Sequence, residues 1–512
     1  MIKSGSTHLF LLIKSLSKGE KRFFKRWSQL YASGRNNKYI RLFDAIDRQD
    51  ANDEQKLLKN HKDISYGKQF PVLKNYLYGQ LLKCMDHYHQ SSHSEVRSLL
   101  HKVEFLVDKG LYSSCEKILR KAKLKAEQYN MPHYALELFR PWEKTLIAQR
   151  NDVEGMKRLL QEEQKTTDQL LRSREYQTLE NQMYVYYLQS HGKRVKSIVR
   201  QAKKILQHKL MKHPEKNNLF EDKINFHWIY YSFYQISRDI PNSYLRAKSM
   251  LQLFHQSPEK CPLHVSLYLR IINNFLMSCI QLRKHEEIPQ CLSDMREIKN
   301  LVRPNTETAK TYFFRYANHS VLYYLETGKY EAGRDAVEEI VTESKQYQKK
   351  LNDLERSALY VNLALFYWGL NDLHKCLDWI NKIHSQVTVF VRDDLKLFLD
   401  VFFIIAHYEA RHYELVLSLV RAARRQLKKK ELSYQTESLM LQFFPRIIKA
   451  SSNEEKIALF TELKNQLIPL AKNPTEKQSF DYFDYLGWVE SKIQKRSFAE
   501  IVREKAKYLE VS

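Results

Sequence analysis

The residues best suited to chemistry are Cys84, Asp86, His87, His89 and His93. His89 and His93 stand four apart, the spacing at which two imidazoles on one helix face hold a metal ion. Ser91 and Ser92 lie between them at an expected helix end, where a histidine also serves to complement the helix dipole. That plainer role is the expected one. His285-Glu286-Glu287-Ile288-Pro289 opens like a metalloprotease helix, but the second histidine one turn on is missing and Pro289 forbids a continuous helix. A phosphate-cradling loop needs closely spaced glycines. The chain has 12, and the nearest pair, Gly328 and Gly333, is followed by Arg334 rather than Lys-Ser or Lys-Thr. No Gly-x-Ser-x-Gly elbow or EF-hand loop occurs. Six cysteines without a Cys-x-x-Cys pair read as reduced thiols. No catalytic residue, metal or cofactor is expected, so the chain does not read as an enzyme.

Charge offers a second chemistry. There are 84 Lys and Arg against 59 Asp and Glu, a formal charge of +25. The excess clusters. Residues 1–94 hold 17 cations against 8 acids, and residues 190–216 hold nine (Lys193, Arg194, Lys196, Arg200, Lys203, Lys204, Lys209, Lys212, Lys216) against Glu215 alone. A third cluster is Arg421, Arg424, Arg425, Lys428, Lys429 and Lys430. Such stripes neutralise phosphates, so nucleic-acid contact through the basic N-terminal domain and through Lys193 to Lys204 is the alternative function. The competing account is a solvated helix face. In Lys21-Arg22-Phe23-Phe24-Lys25-Arg26-Trp27 the aromatics fall at helical spacing and read as a buried stripe rather than a stacking surface.

The elements that position these residues are helices. Nearly every stretch of 12 to 18 residues carries apolar positions at i, i+3, i+4 and i+7, as in Val195, Ile198, Val199, Ala202, Ile205 and Leu206. Alternating strand patterns are absent, and Gly and Pro are too scarce for sandwiches or doubly wound sheets. The fold class is all-α. Gly110-Leu111-Tyr112-Ser113-Ser114-Cys115 and Gly328-Lys329-Tyr330-Glu331-Ala332-Gly333 each sit between two amphipathic runs. Glycine ends one helix in the left-handed conformation, the aromatic wedges between the two helices, and a small residue three later lets them approach. Weaker copies have their wedges at Val153, Val195, Ile240, Ile288, Leu373, Tyr413 and Phe498, with Asn151, Lys193, Arg238, Glu286, Asn371, Arg411 and Arg496 in the glycine slot. Successive separations from Tyr112 to Tyr413 are 41, 42, 45, 48, 42, 43 and 40 residues, a period expected of a helical solenoid. A degenerate copy falls near Asn453 to Ile457. Cys115, Cys291 and Cys376 fill the small-residue slot and are expected to be packing residues.

The Gly-x-Tyr-x-x-small turn resembles that of tetratricopeptide repeats, in a degenerate and lengthened form over about residues 95 to 505. Ser15 to Lys25 and Leu73 to Tyr78 also resemble the leader of uncharacterised bacterial helical-repeat proteins. The resemblance implies an α-α superhelix of eight to ten helix pairs over residues 94–512, after a small helical domain at 1–93 that opens with a Ser17/Glu20 capping box. It also implies that first helices line a concave groove. Tyr184, Tyr187, Trp228, Asn273, Arg315, Asn318, Asn362 and Trp368 fall on that wall, although most of its aromatics are expected to be core. The leading functional expectation is a non-catalytic scaffold holding a protein or peptide partner there. The longest apolar runs are too short to span a bilayer, and the N-terminus lacks a secretory pattern, so a soluble cytoplasmic chain without membrane contact is expected.

Overall fold

Helices start where the sequence sets its wedges. The computed structural model describes residues 7–31, 38–60, 69–89, 92–129, 131–134, 136, 140–190, 196–212, 219–304, 306–348, 350–386, 393–430, 435–473 and 476–510, which form helices and no strand. None of these helices is long and apolar enough to cross a membrane. The chain divides into two compact units, residues 1–236 with 303–306, and residues 237–302 with 307–512.

In the first unit, α1 (His8–Ser15), α2 (Lys18–Tyr31), α3 (Lys38–Arg48), α4 (Glu54–Asn60) and α5 (Gln69–Tyr88) enclose one core running from Leu9 to Cys84. The capping box is present: the Glu20 N–H donates to Ser17 Oγ at 3.3 Å, and the Ser17 N–H donates back to the Glu20 carboxylate. A second core begins at Val96, between α6 (Ser92–Asp108) and α7 (Tyr112–Gln128). The unit continues through α8 (Pro132–Tyr134), α9 (Arg140–Gln149), α10 (Val153–Ser190), α11 (Lys196–Ile205), α12 (Lys209–Lys212) and α13 (Phe220–Ser237). Helix α10 has 38 residues, about 57 Å at 1.5 Å per residue. It merges two expected helices, because between Met156 and Ser190 no glycine or proline stops the first.

The second unit holds α14 (Ile240–Gln256), α15 (Val265–Gln281), α16 (Ile288–Ile298), α17 (Glu307–Thr327), α18 (Tyr330–Tyr347), α19 (Asp353–Gly369), α20 (Leu373–Gln386), α21 (Asp393–Glu409), α22 (Tyr413–Lys430), α23 (Gln435–Lys449), α24 (Asn453–Lys472), α25 (Lys477–Tyr482), α26 (Tyr485–Gln494) and α27 (Phe498–Glu510). Consecutive helices pack together, and α15, α17 and α19 also pack on one another across the intervening helix.

The turns share one backbone device. Gly110, Asn151, Arg238, Gly328, Asn371 and Arg411 all have φ between 52° and 69°, so the glycine slot is left-handed even where glycine is replaced. At Asn371 and Arg411 the next N–H donates to the carbonyl five residues back, Asp372 to Tyr367 and His412 to His407, both at 2.9 Å. This is a Schellman closure, which satisfies helix-end carbonyls that would otherwise lack donors. Two sequence placements need correction. Arg283 (φ 57°), not Glu286, is left-handed, and the buried side chain two residues later is His285, on a 3₁₀ turn leading into α16. Measured to His285, the outlying separation of 48 and the 42 that follows it both become 45. At the last turn Lys495 (φ 55°), not Arg496, takes the slot. Lys193 lies outside the described residues.

The wedge contacts are close. A Cβ on Gly369 would lie 2.2 Å from the Tyr330 ring, and one on Gly333 would lie 2.5 Å from the Tyr324 ring. Cys115, Cys291 and Cys376 are buried, as packing residues should be. A plain solenoid touches only its neighbours, and the C-terminal helices depart from that rule. Helix α27 packs on α17, and the Arg503 guanidinium reaches the Gly328 carbonyl, 175 positions away in sequence, at 3.5 Å. Phe483 and Phe498 close over Trp368, with ring centroids 5.8 and 6.4 Å away, and Tyr482 stacks on Phe398 at 5.0 Å.

Gly328→Ala is expected to cost about 2–4 kcal/mol, from left-handed strain plus the Cβ that would meet the Arg503 backbone nitrogen at 2.8 Å. Gly110→Ala, with nothing within 4 Å of the added Cβ, should cost only the strain, about 1–2 kcal/mol. Arg411→Gly should stabilise by up to about 1 kcal/mol. Thermal and denaturant unfolding of the three variants measures the order; equal losses at Gly328 and Gly110 would contradict the docking of α27.

Candidate functional site

Three neighbouring helices in the second unit bring four of the sequence-derived groove residues together. Asn273 lies on α15, Arg315 and Asn318 on α17, and Asn362 on α19, and all four are half-buried. The Asn362 side-chain amide donates to Asn318 Oδ1 at 2.8 Å, joining α19 to α17. Asn273 Oδ1 meets His319 Nε2 at 3.1 Å, joining α17 to α15. The seam therefore runs unbroken across three helices. Position on the helix explains it: Arg315, Asn318 and His319 are spaced i, i+3 and i+4 and share one face, as do Arg270 and Asn273.

The seam is electrostatically incomplete. Arg315 makes no hydrogen bond or ion pair with a described residue. Its pKa lies below the usual guanidinium value, first through burial and then through repulsion by Arg270, with the Glu355 charge opposing both. Glu355 is already engaged, since it caps α19 through Asn352 and lies 3.4 Å from the Lys310 ammonium. His319 is fully buried. Desolvation, aided by the Arg315 charge, lowers its pKa from 6.5 to about 4, so the ring is neutral at physiological pH. Its Nδ1 and the neighbouring Ser320 Oγ are buried without a hydrogen-bond partner among the described residues. Sequence reading missed His319 and Arg270, although their i+4 and i−3 spacing from Arg315 and Asn273 was available.

The other groove residues lie elsewhere. Trp368 is 6% exposed beneath Phe402, Phe483 and Phe498, so the end of α19 that carries it is covered by the chain's own later helices and this side chain is not open to a partner. Trp228, in the first unit, is 8% exposed and packs on Tyr231. Tyr184 and Tyr187 are open, at 52% and 44% exposure, and their rings lie near-parallel on α10 with centroids 6.3 Å apart.

Of the cationic patch, Lys193 and Arg194 lie outside the described residues. Lys196, Arg200, Lys203 and Lys204 are exposed on α11, and their side chains make no ion pair or hydrogen bond with a described residue. Arg421, Arg424 and Arg425 are exposed on α22, and Arg424 donates to the Leu441 carbonyl at 2.9 Å. The side chains of Lys428 to Lys430 are outside the described set.

The His/Cys cluster is dispersed. Cys84 is buried in the N-terminal core, where desolvation lifts its pKa to about 11. His89 is bonded to the Glu20 carboxylate, and His93 stacks near His133 and Tyr134. Among the described residues no three His, Cys, Asp or Glu side chains are placed to share a metal ion. No protein-family model matches the chain, and no match is found among curated proteins or solved structures.

His319 makes stability depend on pH. The unfolded chain takes up this proton near pH 6.5, whereas the folded chain resists it until about pH 4, so the unfolded state binds more protons in between. Stability of the second unit should therefore fall as pH falls through that window, by about 3 kcal/mol. His319→Gln, which can keep the Asn273 bond, should flatten the melting temperature between pH 6.5 and 4; an unchanged slope would show that this ring does not carry the effect.

Proposed function

We propose that the chain is a non-catalytic helical-repeat scaffold that holds an extended acidic segment of a partner protein against the polar seam of α15, α17 and α19. The observation that carries this reading is Arg315, a half-buried guanidinium with no carboxylate partner among the described residues, beside amides that are only partly engaged. An unpaired, partly desolvated cation is costly, and an incoming carboxylate converts that cost into a charge-assisted hydrogen bond. With Asn362 donating to Asn318 Oδ1, the Asn318 amide donors and the Asn362 oxygen remain without a described partner, one donor and one acceptor on adjacent helices. That pair complements the N–H and C=O of an extended peptide. The absence of catalytic motifs in the sequence agrees with a binding role.

The test is partner recovery from cell lysate with native protein, Arg315→Ala and Asn318→Ala, followed by affinity measurement with synthetic segments of any recovered partner. Loss of the Arg315 bond should weaken binding by about 1.5–3 kcal/mol, roughly tenfold to a hundredfold. Asn318→Ala should weaken it by about 1 kcal/mol. Recovery that is identical across all three proteins would refute the seam as the binding wall. A second reading, nucleic-acid contact, is favoured by the unpaired cations of α11.

A further inference from the structure

We infer that the exposed end of α10 and the cationic face of α11 form a binding surface for single-stranded nucleic acid, independent of the polar seam. The two helices pack through one core: Met183 and Tyr186 on α10 meet Ile198, Val199 and Ala202 on α11. That packing commits one face of each helix, and residues on other faces are exposed. On α11 the free face is Lys196, Arg200, Lys203 and Lys204, spaced four, three and one apart. On α10 it is Tyr184 and Tyr187, with Val185 and Leu188 beside them, all between 44% and 52% exposed.

Charge selects the occupant. The last ten residues of α10, Asn181 to Ser190, carry no charge at all, and α11 carries no acid. Glu175 of α10 lies 3.7 Å from Lys209 of α12, and it pairs with none of the four α11 cations. Some cations elsewhere in this unit have carboxylate partners, as Lys123 has Glu143 and Glu162 and Arg150 has Glu116, whereas α11 gathers four without one among the described residues. A row of unmatched cations tracks a polyanion backbone. The aromatics select single strands: two near-parallel exposed rings give unpaired bases a π-face to stack on, which a duplex does not offer. The packing of α10 on α11 brings the two helices to roughly 8–10 Å between axes, and one bound strand would span both exposed faces. The surface lacks an Arg, Asn or Gln cluster of the kind that reads base edges, so binding is sequence-tolerant.

The experiment is fluorescence anisotropy of the full chain with labelled oligouridylate and oligothymidylate, over a salt series, with inorganic polyphosphate and phosphatidylserine-containing vesicles as parallel probes. Oligonucleotide affinity should fall linearly with salt on a log–log scale. Lys203→Gln with Lys204→Gln should lower affinity about tenfold and reduce the slope by about 1.4, at about 0.7 for each phosphate no longer neutralised. Tyr184→Ala with Tyr187→Ala should weaken oligonucleotide binding at least fivefold and leave polyphosphate binding unchanged, because only bases stack. All four side chains are exposed, so melting curves should match the native protein. Oligonucleotide binding that is insensitive to the tyrosine pair, or polyphosphate binding as tight as oligonucleotide binding, would overturn the assignment. Vesicle binding without oligonucleotide binding would overturn it in favour of a lipid surface.

Discussion

Everything in this chain turns on how a first helix ends. A non-glycine residue held left-handed costs about 1–2 kcal/mol, yet Asn151, Arg238, Arg283, Asn371, Arg411 and Lys495 all accept that conformation. What outweighs the strain is visible at the glycine-closed turn before Tyr330. The turn there delivers a large side chain, 3% exposed, into the crevice between helices, against Gly369 and 6.0 Å from the Phe366 ring. Burial of an aromatic of that size contributes about 1.5–3 kcal/mol. The direction of the second helix, and so the position of every side chain on the first, follows from this backbone torsion. Replacement of glycine by asparagine or arginine weakens the sequence signal without changing the geometry.

Helix starts, caps and the left-handed slot were legible in the sequence because each is decided within about six residues. The failures are equally local in origin. Ile288 reads as the wedge and so puts Glu286 in the glycine slot, but Arg283 is the left-handed residue and a 3₁₀ turn absorbs the residues between it and α16. No glycine or proline interrupts α10 after its first turn, so two helices fused. Trp368 failed for a different reason. Periodicity reports that a side chain faces something, never what that something is, and the cover over Trp368 comes from Phe483 and Phe498 more than a hundred positions later.

The same distinction explains why part of the candidate site was legible. The resemblance to helical repeats assigns Asn273, Arg315, Asn318 and Asn362 to one wall, and counting back from each wedge supplies the positions. Their completion by His319 could not be read, since a buried histidine looks like any other inward-facing position until its ring nitrogens are followed. One nitrogen holds Asn273 and the other has no described partner. In a low-dielectric interior an unmet polar group is expensive. His319 lies one helical turn from Arg315, the cation on which the proposed binding role rests.

The two candidate surfaces differ in the physics that would govern them, and that difference is what makes them separable. Arg315 is half-buried, so an ion pair formed there is shielded from solvent and only weakly screened by salt. The α11 cations are exposed to water, where a single contact is worth little and affinity arises from many contacts and the release of counter-ions. A net charge of +25 could have meant solubility alone. Its pairing is uneven: Lys505 is matched by Asp484 and Glu490, whereas the α11 cations have no carboxylate partner among the described residues. Charge that a fold has not neutralised internally is available to a ligand, and its location identifies the surface more sharply than the total does.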